Sequence, residues 1–142
     1  MTLTVRAARP NDTAAMLKIE KECFGFDHWR TEDFAANQCI VAELGEQVVG
    51  FLVSRETFAG SVSELPEREI LNLAVLPSFR HHGIARQLLE TELRHRATFF
   101  LEVRESNAAA QELYRSCGFK EIARRKHYYQ YPAETAIVMQ MK

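Results

Sequence analysis

Leu71-Asn72-Leu73-Ala74-Val75-Leu76-Pro77-Ser78-Phe79-Arg80-His81-His82-Gly83-Ile84-Ala85-Arg86-Gln87-Leu88-Leu89 is the stretch from which the fold can be read. The apolar run Ile70–Val75 has the length and make-up of a buried strand, and Pro77, which cannot donate to a ladder, ends it. Gly83 supplies a tight turn, after which Ala85, Leu88, Leu89 and Leu93 recur at the spacing of a helix's inner face. A strand that enters a helix through such a turn gathers several main-chain N–H groups at the positive end of the helix dipole. That corner suits a pyrophosphate: Gly83 and the small Ala85 permit close approach, and Arg80 and Arg86 offer charge-assisted bonds. Taken alone, Arg-x-x-Gly-x-Ala is a common pattern, and a plain strand–turn–helix corner explains it equally well.

Upstream, Leu3, Val5 and Ala7 alternate with polar residues as a first strand, and Asp12 is placed to cap a helix through about Cys23. A loop follows to Trp29, and Thr31-Glu32-Asp33 can start a short second helix. Cys39–Leu44 and Val48–Ser54 read as a hairpin around Gly45-Glu46-Gln47, with a polar loop over Ala59–Pro66. Downstream, Phe99–Arg104 is a strand with Phe99, Leu101 and Val103 on one face and Phe100, Glu102 and Arg104 on the other. Its short link from Leu93 predicts that the preceding helix ends early. Ser106 is expected to cap the next helix, packed through Ala109, Ala110 and Leu113 and ended by Gly118. Phe119–Arg125 and Ala136–Met141 close the chain as strands, with an aromatic loop from Tyr128 to Tyr131 between them. Helices alternating with strands in the middle, and hairpins at either end, predict an α/β fold with a mixed sheet and helices on both faces.

The composition sets outer bounds. With 142 residues, 46% hydrophobic and 26% charged, the chain is sized for one domain over residues 1–142 with a packed core and no need of metal or disulfide support. A formal net charge of −1 argues against nucleic acid as a partner. No signal-like start and no apolar run of membrane-spanning length are visible, so a cytoplasmic location without membrane attachment is expected. Cys23, Cys39 and Cys117 show no paired spacing and read as reduced, inert thiols. The histidines are scattered, and His81 and His82 diverge as neighbours, so no metal site is expected.

The order Leu73-Ala74-Val75, Pro77, Arg80-x-x-Gly83-x-Ala85, Leu88-Leu89, then Leu101-Glu102-Val103, Asn107, Ala110, Leu113-Tyr114 and Gly118-Phe119 resembles the GCN5-related N-acetyltransferase (GNAT) superfamily. Within it, Leu101-Glu102-Val103-Arg104-x-Ser106-Asn107-x-Ala109-Ala110-x-x-Leu113-Tyr114 looks like the bacterial RimI type, which acetylates the N-terminal alanine of a ribosomal protein. Arg124-Arg125-Lys126-x-Tyr128-Tyr129 and Ala136-Ile137-Val138-Met139 resemble that group's C-terminal end. The resemblance implies a largely antiparallel sheet of six to seven strands, acetyl-coenzyme A as co-substrate, and direct transfer to a primary amine. It further implies that Leu73, Ala74 and Val75 line the pantetheine arm, Leu73 and Val75 through their main chain. Arg80, His81, His82, Gly83, Ile84, Ala85 and Arg86 would wrap the pyrophosphate, and Asn107 would sit near the thioester. The implied partner is the N-terminus of a small-subunit ribosomal protein, met by a monomer. His81 and His82 depart from the family's usual arginine, lysine or glutamine. Because imidazole charge depends on pH, the KM for acetyl-coenzyme A is expected to rise between about pH 6 and about pH 8.

An amine must lose a proton before it attacks a thioester, and the expelled thiolate must gain one. The α-amine has an ordinary pKa of roughly 8, so a modest base suffices. Glu102, flanked by Leu101 and Val103 on a strand, is the candidate base, directly or through one water. Its plainer alternative is an ordinary ion pair with a neighbouring base. Tyr114, two helical turns beyond Asn107, is the candidate acid, with Leu113 expected to take the buried position and leave the phenol free. Core packing is the alternative for an aromatic on a helix. Trp29 (with Phe26) and the Tyr128, Tyr129, Tyr131 group are expected to wall a peptide groove. Acetylation of another protein N-terminus or a metabolite amine, and a non-catalytic acyl-coenzyme A-binding module, remain open alternatives.

Overall fold

A computed structural model describes residues 2–25, 28–130 and 133–142. Seven strands form one mixed sheet in the order β1-β2-β3-β4-β5-β7-β6. They are β1 Leu3–Ala7, β2 Gln38–Leu44, β3 Gln47–Phe58, β4 Glu67–Val75, β5 Thr98–Arg104, β6 Lys120–Gln130 and β7 Ala133–Met141. Four helices flank the sheet: α1 Thr13–Phe24, α2 Thr31–Ala35, α3 Ile84–Glu92 and α4 Ala108–Ser116. The chain divides into two compact units, residues 1–55 with 71–94, and residues 56–70 with 95–142.

In the first unit, β2 and β3 are apolar on both faces. Val41, Ala42, Val49, Phe51, Leu52 and Val53 are all buried, as strands covered on two sides require. Leu3↔Leu44 and Leu44↔Gln47 fix the antiparallel registers of β1–β2 and of the β2–β3 hairpin. From α3, Ile84, Leu88 and Leu89 are buried; truncating either leucine to alanine removes about 2–5 kcal/mol. The helix stops at Glu92, in line with the short link that follows it. Asp12 holds the N-cap position of α1, but its side chain makes no capping bond to that helix. Its buried carboxylate accepts from both terminal nitrogens of Arg6 (2.8 and 3.1 Å) and from the Arg9 N–H (2.7 Å), and Arg6 holds it below the usual carboxylate range.

In the second unit, β5 alternates as its sequence dictates, with Phe99, Leu101 and Val103 inward. It runs parallel to β4 only over Glu67–Ile70 against Thr98–Leu101, and antiparallel to β7 from Phe99↔Met141 to Arg104↔Ala136. Asn107, not Ser106, caps α4: its side-chain oxygen accepts from the Ala110 N–H at 3.2 Å. Ser106 is otherwise engaged, its N–H donating to the Glu134 carboxylate. The packing face of α4 is Gln111 and Tyr114 rather than Ala109, Ala110 and Leu113. Gly118, at φ +105°, ends the helix; its N–H reaches the Arg115 carbonyl and the Phe119 N–H reaches the Tyr114 carbonyl, each at 3.0 Å. Tyr128 and Tyr129 lie within β6, not in a loop, because the β6–β7 ladder continues to Tyr129↔Glu134 and Gln130↔Ala133. Lys126, His127 and Tyr128 bulge opposite Thr135, with His127 at φ +56°. Phe26 and Tyr131 lie outside the described residues.

Candidate active site

The residues singled out from the sequence fall into two groups, one in each unit. In the first unit, Leu73, Ala74 and Val75 end β4, and a 3₁₀ turn over Pro77–Phe79 separates them from the glycine turn. Two residues of that turn have positive φ, His81 (+65°) and Gly83 (+78°), and Gly83 is the N-cap of α3. A Cβ built on Gly83 would meet no protein atom within 4 Å, so the space beside the main chain is open to a ligand. His81, His82 and Arg86 are solvent-exposed around it, with Ile84 buried beneath and Ala85 half-buried. Left-handed residues next to a helix start turn successive N–H groups to one side, a geometry that binds phosphate oxygens.

Arg80 behaves differently from the expectation of a free phosphate ligand. Its Nε donates to the Val75 carbonyl (3.1 Å) and its Nη2 to Cys23 Sγ (3.3 Å), while the Cys23 thiol donates to that same carbonyl (3.4 Å). Burial pushes the Cys23 thiol up, which agrees with an inert cysteine. Trp29 is half-buried and packs edgewise on Phe34 at 5.4 Å, which packs on Phe51 at 5.3 Å. Its main chain is anchored by a residue that periodicity did not reveal. Glu20, 2% exposed on α1, accepts from the Trp29 N–H (2.8 Å) and from Asn72 Nδ2 on β4 (2.7 Å). A charged residue in the buried stripe of an otherwise amphipathic helix was the available signal.

In the second unit, Glu102, Tyr128 and Tyr129 come together. Arg125 Nη1 donates to Glu102 Oε1 at 2.8 Å. The Arg125 guanidinium lies 4.3 Å over the Tyr128 ring, and the Arg104 guanidinium 4.2 Å over the Tyr129 ring. The two tyrosine rings meet edgewise at 5.2 Å. Burial, then a hydrogen bond to Glu102, push the Tyr128 phenol up; burial and the Glu102 charge push Tyr129 up to about 12. Tyr114 is buried and packs edgewise on Phe119 at 5.8 Å, whereas Leu113 is half-exposed, the reverse of the expected arrangement. Burial pushes its phenol up to about 12, with a smaller contribution from Tyr129. Asn107 is exposed at the start of α4, its oxygen committed to the cap. Among the described residues, no group of three or more His, Cys, Asp or Glu is arranged to hold a metal ion, and no helix is long and apolar enough to cross a membrane.

The seven-stranded mixed sheet, with a left-handed turn opening a helix, is the fold of an acetyltransferase class, and the comparisons agree. Residues 10–119 match the acetyltransferase (GNAT) family, and the chain belongs to it as an N-acetyltransferase. It is 36% identical over 135 residues to the [Ribosomal protein bS18]-alanine N-acetyltransferase of Escherichia coli, covering 89% of this chain and 86% of that protein. The crystal structure of the Escherichia coli ribosomal-protein alanine N-acetyltransferase superposes with a TM-score of 0.83 at 31% identity, over 99% of this chain and 93% of that one. An N-alpha-acetyltransferase of Sulfurisphaera tokodaii is 30% identical over 144 residues, covering 88% of this chain and 84% of its own.

Proposed function

We propose that the protein transfers the acetyl group of acetyl-coenzyme A to the N-terminal α-amine of a protein, with an alanine-initiated small-subunit ribosomal protein as its acceptor. The observation that carries this reading is the half-buried Glu102 carboxylate, which shares a cluster with two tyrosines on the strand pair that ends the chain. Relatives that match across most of their length and act on protein α-amines support the acceptor class.

Bound acetyl-coenzyme A would supply the thioester as electrophile. The turn residues His81–Arg86 and the start of α3 would hold its pyrophosphate, for which the open space at Gly83 is a fit. Main-chain groups of Leu73 and Val75, beyond the point where β4 pairs with β5, would take the pantetheine arm. Glu102 accepts the proton that the ammonium form of the acceptor must lose and passes it to solvent; the free amine attacks the carbonyl carbon, and the attacking nitrogen then gives its second proton to the same carboxylate as the amide forms. As the carbon–sulfur bond breaks, Tyr114 gives its proton to the departing sulfur and is restored from solvent. Trp29, Tyr128 and Tyr129 supply aromatic surface for the first residues of the acceptor.

The test is incubation with acetyl-coenzyme A and a panel of peptides that differ only in their first residue, read by mass spectrometry. Alanine-initiated peptides are expected to gain one acetyl group. Acetylation of lysine side chains or small amines, with alanine-initiated peptides untouched, would overturn the acceptor assignment.

A further inference from the structure

We propose that Arg125 is a positioning residue for acetyl transfer: it pins one oxygen of Glu102 so that the other faces the acceptor amine. This deepens the reading of Glu102 as the base and rests on it.

The geometry distinguishes Arg125 from its neighbour. Arg124 binds Glu121 (2.9 Å) and Glu105 (2.8 Å), all of them substantially exposed, and forms an ordinary surface cluster. The Arg125 side chain is 55% exposed, but the carboxylate it reaches is only 18% exposed. In the sheet register Arg125 stands opposite Ala136 of β7, and Glu102 stands opposite Val138. The guanidinium therefore crosses β7 on a diagonal, past a residue whose side chain is a single methyl group. It is held there from two sides, by Glu102 Oε1 and by the face of Tyr128. Tyr128 is in turn braced by Tyr129, and Tyr129 by Arg104, itself bonded to Glu134.

A glutamate has three side-chain torsions, and a half-buried one with no fixed partner would sample several rotamers. Committing Oε1 to a planar, braced guanidinium selects one of them and leaves Oε2 as the oxygen with spare lone pairs. Misplacing a catalytic group by about 1 Å can cost on the order of a hundredfold in rate. Exposed ion pairs add little stability, so the pair is better explained by orientation than by folding.

Steady-state kinetics with acetyl-coenzyme A and an alanine-initiated peptide test this, using Arg125→Ala, Arg125→Lys, Glu102→Gln and the double variant Arg125→Ala/Glu102→Gln. Arg125→Ala is expected to lose at least about tenfold in kcat while the KM for acetyl-coenzyme A and the melting temperature stay at native values. Arg125→Lys should recover part of that loss, since an ammonium can still bond Oε1 but lacks the flat face that Tyr128 braces. In the Glu102→Gln background the Arg125→Ala change should cost less than about twofold, because residues acting as a unit are not additive. A native kcat for Arg125→Ala beside an impaired Glu102→Gln overturns the positioning role and leaves the base intact. An equal loss in both backgrounds, or no recovery by lysine, overturns it as well. A native rate for Glu102→Gln instead removes the base assignment itself.

Discussion

For Tyr114, burial and acidity act in opposition. Its phenol is pushed up to about 12, so it stays protonated across the neutral range and is ready to donate. The same burial makes it a weaker acid, so in the proposed transfer its proton would leave only as a full thiolate charge develops beside it. Tyr114→Phe, which keeps the ring on Phe119, is therefore expected to lower kcat by roughly 10²–10⁴-fold with acetyl-coenzyme A binding retained, and Glu102→Gln to do the same. Normal turnover in both variants would remove both assignments. A second readout is stability against pH. Since the folded phenol ionises above the ordinary value of about 10, its contribution is complete below that pH and fades as pH rises through about 12. Denaturant titrations from about pH 9 to about pH 12 should show native stability falling more steeply than that of Tyr114→Phe. The strand face of Glu102 was legible in the sequence, whereas its proposed role and that of Tyr114 are what the resemblance implies. The burial of Tyr114 in place of Leu113 was not legible. On a helix of nine residues, adjacent positions lie within one rotation step of the same face, and the contact with Phe119 beyond the helix end decides between them.

Glycines at two element boundaries test what the local geometry does. Gly118 at φ +105° ends α4, and a Cβ there would stand 3.3 Å from Met141 Sδ. Gly118→Ala should lower stability by about 1–2 kcal/mol in chemical denaturation, with the KM for acetyl-coenzyme A unchanged. Gly83 at φ +78° faces open space, so Gly83→Ala carries the conformational cost alone but puts a methyl group where the phosphates are proposed to approach. It should raise the KM for acetyl-coenzyme A severalfold for a stability loss of only about 1 kcal/mol. If both variants change stability equally and neither changes KM, the turn is an ordinary corner. Elements marked by periodicity and punctuation, such as β5, α3 and the hairpin at Gly45, could be read directly from the chain. Those decided by distant partners could not. Ser106 and Asn107 are both good caps, and only the Glu134 carboxylate arriving from β7 takes Ser106 out of the choice. Likewise the aromatic segment Tyr128–Tyr129 becomes strand because β7 pairs with it across a bulge.

At the scale of the whole molecule, the glycine turn at His81–Gly83 belongs to one compact unit and the Glu102, Tyr128 and Tyr129 cluster to the other. A chain with formal net charge −1 has little bulk attraction for a basic acceptor, so acceptor choice falls to local groups. Glu20 ties the main chain of Trp29 to β4 within the first unit, and its two partners are set by the fold rather than by spacing in the sequence. The proposed function turns on transfer of the acetyl group to an α-amine. It is tested most directly with one peptide that begins with alanine and carries a single lysine further along, incubated with acetyl-coenzyme A and analysed by tandem mass spectrometry. The acetyl group is expected on the alanine nitrogen, with one coenzyme A thiol released for each peptide modified. Acetyl found on the lysine alone, or thiol released with no peptide modified, would contradict it.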